Sequence, residues 1–382
     1  MTSRERLLAA IRSQPVDHVP FTVSFWNRPR HRLTPWNSEE ERLAFYARRE
    51  WDAYVCLWCG ISPSSEVRVD VRIEKSGETV LLHQTWHTPA ATLHETLRVS
   101  DDWPEAMEAA ATGRPIGLLC DFRTARYLEW PFKTAADLDA LPYVLPDLTR
   151  DDEDRMVMHY RQARALADRF NVPVFVDVRP GLDWMIWLFP PQEAVLCAMD
   201  KPEIARRILS HVERIHSQRI RTLLEEGIDG VIRSGWYESA DLWSPALYRE
   251  LAAPNLRGDL QLVKSSGKVC VYLMDSGVIP LLDELERLEF DCLAGVDPAT
   301  GGGTDLALIR RRLPGKALWG GISGPLHLGR GSPLEVELAV ERAFSLCGKK
   351  GFILGPMVGY RHNWPWENLE ACERTWQRLR DM

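Results

Sequence analysis

From about residue 172 the chain settles into a repeating pattern. A short run of consecutive apolar residues is followed each time by a longer stretch with apolar positions every three or four residues. The runs "VPVFVDV" (172–178), "GIDGVIRS" (227–234), "KVCVYLM" (268–274), "FDCLAGVD" (290–297), "ALWGGIS" (317–323) and "GFILGPM" (351–357) read as strands buried on both faces. Between them, "PEIARRILSHVERIHSQRIRTLLEEG" (202–227) and "SPLEVELAVERAFSLCG" (332–348) carry the 3.6-residue period of amphipathic helices. Upstream, a first helix in "MTSRERLLAAIRSQP" precedes a strand at "VPFTVSFW" (19–26), a helix at "SEEERLAFYARREW" (38–51) and a second strand at "AYVCLWC" (53–59). Eight buried strands alternating with helices predict an α/β fold of the (β/α)8 TIM-barrel type. One region breaks the pattern. From 66 to 99 polar and apolar residues alternate around a Ser-Gly turn, which predicts a β-meander, with "IGLLCDF" (116–122) extending it. The meander is an insertion over about 66–122, and "KTAADLDALP" (133–142) is a short capped helix that brings the chain back. No repeat or low-complexity linker divides the sequence, so a single domain over 1–382 is expected.

Composition narrows the function classes. A formal net charge of −7 argues against a general nucleic-acid role, which needs a basic face. No apolar run approaches the roughly 20 residues of a membrane span, and the N-terminus lacks a signal-peptide core, so the expected location is cytoplasmic. The eight cysteines fall mostly inside apolar runs and read as reduced, buried thiols. "VCLWCG" contains a CxxC at Cys56 and Cys59, but it has no second ligand pair and reads as two strand cysteines. Fifteen tryptophans suit an aromatic-lined pocket, although core packing accounts for many.

A barrel of this kind builds its active site at the C-terminal ends of the strands. Those ends offer Arg28, Arg30 and His31; Cys59; Asp177, Arg179 and Asp183; Arg233, Trp236, Tyr237, Glu238 and Asp241; Asp275; Asp297; Ser323; and finally Tyr360, Arg361 and His362. Arginines suit bidentate binding of carboxylates, and an Asp or His beside them can exchange protons. Each residue also has a plain structural reading. Asp275-Ser276, Asp183 and Asp241 are good helix caps, Arg28 and Arg30 are ordinary loop charges, and His362 can pack against Trp364. GxGxxG between strand and helix, the P-loop, HExxH and GxSxG are all missing, and "TGGGTD" (300–305) is only a weak anion-binding signal.

The order of segments resembles the uroporphyrinogen decarboxylase superfamily over nearly the whole chain. The likeness rests on "RERLLAAIRSQPVDHVPF", "WPFKTAADLDALPYVLPD", "LWSPALYRELAAPNL", "SSGKVCVYLMDSGVIPLLDELERLEFDCLAGVDP", "KALWGGISGPLHLGRGSPLEVELAV" and "GFILGPM" with "PWENLEA". The superfamily joins the haem-pathway decarboxylase to corrinoid-dependent methyltransferases. In the methyltransferase branch the resemblance implies His-x-Cys-Gly at the strand that here ends in Met274-Asp275-Ser276-Gly277, with a later Cys at Val358. Met, Ser and Val do not make a thiolate-rich zinc site. The decarboxylase branch implies Arg-Gln-Ala-Gly-Arg where this chain has "FWNRPR", an Asp near Cys59 and a His near Val358, for which His362 is the substitute. The meander resembles the methyltransferase-type branch.

These readings lead to an enzyme of the lyase type, a decarboxylase using acid–base chemistry on a carboxylated, partly aromatic small molecule, with no metal and no cofactor. Asp275, His362, Tyr360 and Asp177 are the catalytic candidates. Arg28, Arg30, Arg179, Arg233, Trp236, Tyr237, Glu238, Asp297 and Arg361 are the substrate-binding candidates. Corrinoid- or folate-linked methyl transfer is the alternative, with a corrinoid protein as partner, and a non-catalytic ligand-binding barrel is a third. A homodimer is a further candidate assembly.

Overall fold

The computed structural model describes residues 1–25, 36–58, 60, 62–101, 103–118, 121–299, 305–357, 359–361 and 363–381. In chain order the strands are β1 (Val55–Trp58), β2 (Arg68–Ser76), β3 (Thr79–His87), β4 (Thr92–Val99), β5 (Tyr127–Glu129), β6 (Val174–Val178), β7 (Gly230–Ser234), β8 (Val269–Leu273), β9 (Cys292–Val296), β10 (Ala317–Ser323) and β11 (Phe352–Met357). They form two sheets. Seven strands in the order β1-β6-β7-β8-β9-β10-β11 make a curled parallel sheet, and β2-β3-β4-β5 make an antiparallel one.

Among the described residues the parallel sheet has seven strands, where the sequence led to the expectation of a closed eight-stranded barrel. Residues 19–25 of the segment expected as the first strand do not form a continuous strand. They touch the sheet through isolated parallel bridges, Phe21 with Leu354 and Phe25 with Tyr360. The Leu354 N–H donates to the Pro20 carbonyl at 2.9 Å, and the Asp52 N–H donates to the Phe21 carbonyl at 2.8 Å. This segment therefore runs beside both β11 and the approach to β1 without a continuous ladder. Pro20 has no N–H to offer one, which is a physical reason for the interruption.

Side chains of the parallel strands alternate between two apolar layers. Phe175, Ile232, Val269, Val271, Cys292, Ala294, Ala317, Trp319 and Ile353 form one, on the concave face of the sheet, together with Leu7, Ala10 and Ile11 of the helix Ser3–Ile11. That helix is fixed by a capping box between Thr2 and Glu5, and it seals the N-terminal end of the concave face. Val174, Val176, Val178, Val231, Cys270, Tyr272, Leu293, Val296, Leu318 and Phe352 face the other way, under the long helices Pro202–Glu226 and Pro333–Cys347.

The meander has its own small core of Leu82, Leu97, Trp103, Ala106, Ala109, Ile116 and Tyr127. Residues 116–118 are not a strand; the fourth strand of this sheet is Tyr127–Glu129, so the expected extension at 116–122 is misplaced. Among the described residues, no helix is long and apolar enough to cross a membrane.

Candidate functional site

Asp177 lies on β6 in register with Trp58 of β1, and Arg179 follows just beyond the strand. Phe175, two residues before Asp177, belongs to the concave layer, so Asp177 and Arg179 continue that face upward to its rim. Asp177 Oδ1 accepts a hydrogen bond from the Ser234 hydroxyl at 2.9 Å and sits 3.6 Å from Arg179 Nε. The Arg179 guanidinium carbon is 4.3 Å from the centre of the Trp58 ring and 5.9 Å from that of Trp187. Arg179 is thus held between two indoles beside a carboxylate, in a setting where cation–π attraction and charge pairing act together. Trp58 itself is 58% exposed. Leaving that much of an indole in water forgoes on the order of 3 kcal/mol of burial.

The loops carrying these groups are tied by a reciprocal pair of buried carboxylates. Asp183, the first residue of the helix Asp183–Leu188 that follows β6, does not cap that helix but accepts the Tyr237 N–H at 2.8 Å and the Trp236 N–H at 3.1 Å from the loop after β7. In return Glu238, after β7, accepts the Leu182 N–H at 2.9 Å. Glu238 also accepts from Arg233 Nη1 at 2.6 Å and from the Tyr272 hydroxyl at 2.7 Å. The Trp184 indole N–H donates to the Arg179 carbonyl at 2.6 Å and adds a third tie. A Cβ on Gly181 would fall 1.5 Å from Glu238 Oε1, so only glycine lets this carboxylate in.

Asp275 stands at the end of β8, partly buried. The helix-cap reading of Asp275 and Ser276 does not hold, because the following 3-10 turn starts at Ile279 with Val278 at its cap and no side-chain cap bond. The turn at Gly277 has φ +61, and its carbonyl accepts the Ala240 N–H at 3.3 Å, so the end of β8 is wired to the loop after β7. Asp241 does not cap the next helix either; Ser244 does.

Several expected substrate contacts are internal. Arg233 and Glu238 are fully buried and paired with each other, on the helix-facing side of the sheet, not on the concave face. Tyr272 and Tyr248, whose hydroxyls are 3.1 Å apart, and Asp259, 3.6 Å from Arg233 Nε, complete that network. Burial pushes the Asp259 carboxyl up to about 7 against the pull of Arg233. Buried in the same layer, His216 has its pKa held well below the ordinary imidazole value by desolvation, with Arg219, Arg233 and Arg179 adding to the effect. Tyr360 is likewise withdrawn from proton transfer. Its hydroxyl donates to the Trp364 carbonyl at 2.5 Å inside a cluster with Phe25, Trp364 and Trp366, and burial raises its pKa.

Asp297 is buried at the end of β9 and accepts the Ala299 N–H at 2.8 Å, an Asx-type turn. Trp236, Tyr237 and Arg361 are half-buried in the loops after β7 and β11. Arg28, Arg30 and His362 lie outside the described residues, as do His31, Cys59 and Val358.

Two residues at the strand ends were not among the sequence candidates. Trp58 is one; its position two residues from Cys56 on an alternating strand was the available signal. His327, after β10, is the other. Its Nδ1 accepts the Ser323 N–H at 2.9 Å, which puts the ring proton on Nε2, and burial lowers its pKa while Asp297 opposes the shift. The tetrad Met274-Asp275-Ser276-Gly277 brings no imidazole or thiolate, and Met274 is fully buried, so these residues do not fit the zinc donor set that the methyltransferase branch implies.

The sequence profile described as uroporphyrinogen decarboxylase (URO-D) matches residues 111–378. No curated protein matches the chain. Among solved structures, a methyltransferase from Methanosarcina mazei is 16% identical, covers 99% of this chain and 99% of its own, and superposes with a TM-score of 0.59, a likeness of fold. A B12-independent methionine synthase from Shewanella sp. W3-18-1 is 9% identical over 57% of this chain and 66% of its own, with a TM-score of 0.40.

Proposed function

Because the chain belongs to the uroporphyrinogen decarboxylase family, a family of enzymes, we propose that it is a decarboxylase of a carboxylated small molecule, acting at the C-terminal ends of β6 to β8 through acid–base chemistry. The observation that carries this reading is the buried Arg179, held beside Asp177 and between two indoles, at the rim that also bears Asp275. Arg179, with Arg361 from the last loop, supplies positive charge that draws and orients a substrate carboxylate. The bond between the carboxyl carbon and its neighbour breaks, CO₂ leaves, and the electron pair stays on the neighbouring carbon. Asp275 gives that carbon a proton and is reprotonated from water. The Asp177–Ser234 contact keeps the guanidinium in place during the step.

Replacing Asp275 with Asn should lower CO₂ release by about 100-fold or more while the melting temperature stays unchanged. The substrate is first found by screening carboxylic acids for CO₂ release. Wild-type turnover in the Asn variant would remove Asp275 from the chemistry. Methyl transfer is the second reading, supported by the likeness in fold to the methanogen methyltransferase over the full length of both chains. Methyl uptake from methylcobalamin without CO₂ release would put that reading first.

A further inference from the structure

Trp58 is the one tryptophan more than a third exposed among the described residues, and it occupies the end of a parallel strand, where a substrate arrives. Other large indoles, such as Trp184, Trp187, Trp243 and Trp376, are at most 2% exposed. The inner face of Trp58 is occupied, because the Arg179 guanidinium lies 4.3 Å from the ring centre. Arg179 is in turn backed by Trp187 at 5.9 Å and by the Asp177 carboxylate at 3.6 Å, so it cannot swing away cheaply. The main chain at Arg179 is also fixed, through the Trp184 indole N–H. Trp58 is therefore a planar surface held from behind, with one face toward solvent.

We propose that Trp58 is a stacking platform that selects substrates in which the carboxylate is borne on a flat, aromatic ring. The cation behind the indole draws down the electron density of its π face. The open face then favours an offset contact with the π system of a second aromatic ring, and gives much less to a saturated ring of the same size. A carboxylate on that ring is steered by the same guanidinium that polarises the platform. The inference rests on the carboxylate-binding reading above and adds the substrate class to it. Arg179 acts here as a positioning residue for the ring, while Trp58 makes the contact.

Calorimetric titration of the full chain with benzoate and with cyclohexanecarboxylate tests this, because the two probes share charge and approximate size but not flatness. Wild-type protein should bind benzoate about three- to tenfold more tightly than the saturated acid. Trp58→Ala should bring the two affinities together, and Trp58→Phe should restore part of the preference. Because Trp58 is exposed, both variants should melt with the wild type. Equal affinity of the two acids for wild type, or an unchanged preference in Trp58→Ala, would overturn the platform and leave the carboxylate site standing. If neither acid binds wild-type protein, both readings are overturned.

Discussion

Among the described residues two fully buried arginines are paired with buried carboxylates, Arg123 with Glu95 and Arg233 with Glu238 and Asp259, and the two sets are finished differently. In the antiparallel sheet, Glu95 accepts from Arg123, from the Trp86 indole at 2.9 Å and from Gln84 Nε2 at 2.5 Å. Arg123 also donates to the Tyr127 hydroxyl and to the carbonyls of Ile116 and Gly117. No side-chain polar atom of that set is left without a hydrogen bond. Beside the parallel sheet, Arg233 and Glu238 form an equally buried pair, yet Arg233 Nη2, Asp259 Oδ2 and both ring nitrogens of His216 have no hydrogen-bond partner. A closed set of this kind serves the fold alone. The open one sits under the rim, where Glu238 holds the loop after β6, and it carries the cost of unmet polar groups at the place where chemistry is proposed.

Breaking each pair tests the contrast most strongly. Glu95→Ala leaves a buried guanidinium uncompensated and should lose about 3–5 kcal/mol in urea unfolding, whereas Glu238→Ala leaves Arg233 with only the more distant Asp259 and should lose about 2–4 kcal/mol. At a temperature where both variants are folded, only Glu238→Ala should also lower turnover, because it releases the rim loops. Equal turnover in the two would erase the distinction. A gentler comparison uses glycines. Gly181→Ala drives a Cβ into Glu238 and Arg233 Nη2 and should cost about 1–3 kcal/mol, whereas Gly117→Ala in the other region meets nothing within 4 Å and should stay within about 0.5 kcal/mol.

The smallest effect is in pH. His216 stays neutral in the fold, so as pH falls below the ordinary imidazole value the unfolded chain takes up a proton that the folded chain does not, and stability is lost. Asp259, raised to about 7 from 3.8, does the reverse, since the folded chain binds its proton first and gains stability as pH falls from about 7 toward 3.8. The two slopes oppose each other, each at most about 1.4 kcal/mol per pH unit. Asp259→Asn should therefore lose stability between pH 6.5 and 5 more steeply than wild type, and His216→Gln should gain it. Parallel urea midpoints for all three proteins would refute the assignment.

Most of the parallel strands were legible because each is a short unbroken apolar run, and β10 was bounded to the residue at 317–323. The first strand failed for a local reason, since "VPFTVSFW" has the composition of a strand but a proline at the position where a ladder would need an N–H. The meander was visible as alternation through 99, but Tyr127–Glu129 is three residues long, too short to leave a period. At the rim, Asp177, Arg179 and Asp275 followed from counting to the strand ends. The same counting also returned Arg233 and Glu238, which lie on the helix side, because it ignores parity, and one residue decides whether a strand side chain meets the concave face or the helices. Trp58 was hidden by the opposite habit, since a tryptophan in an apolar run reads as core until its exposure is known.

The helix Ser3–Ile11 has a kinetic meaning. With Leu7, Ala10 and Ile11 packed into the apolar layer of the concave face, a molecule bound at the rim would have to leave by the side it entered. Traffic is first in, last out. In a reaction that splits one substrate into a gas and a larger fragment, the gas must pass the fragment or wait for it. The exchange rate at that mouth would then limit turnover once the bond-breaking step is fast.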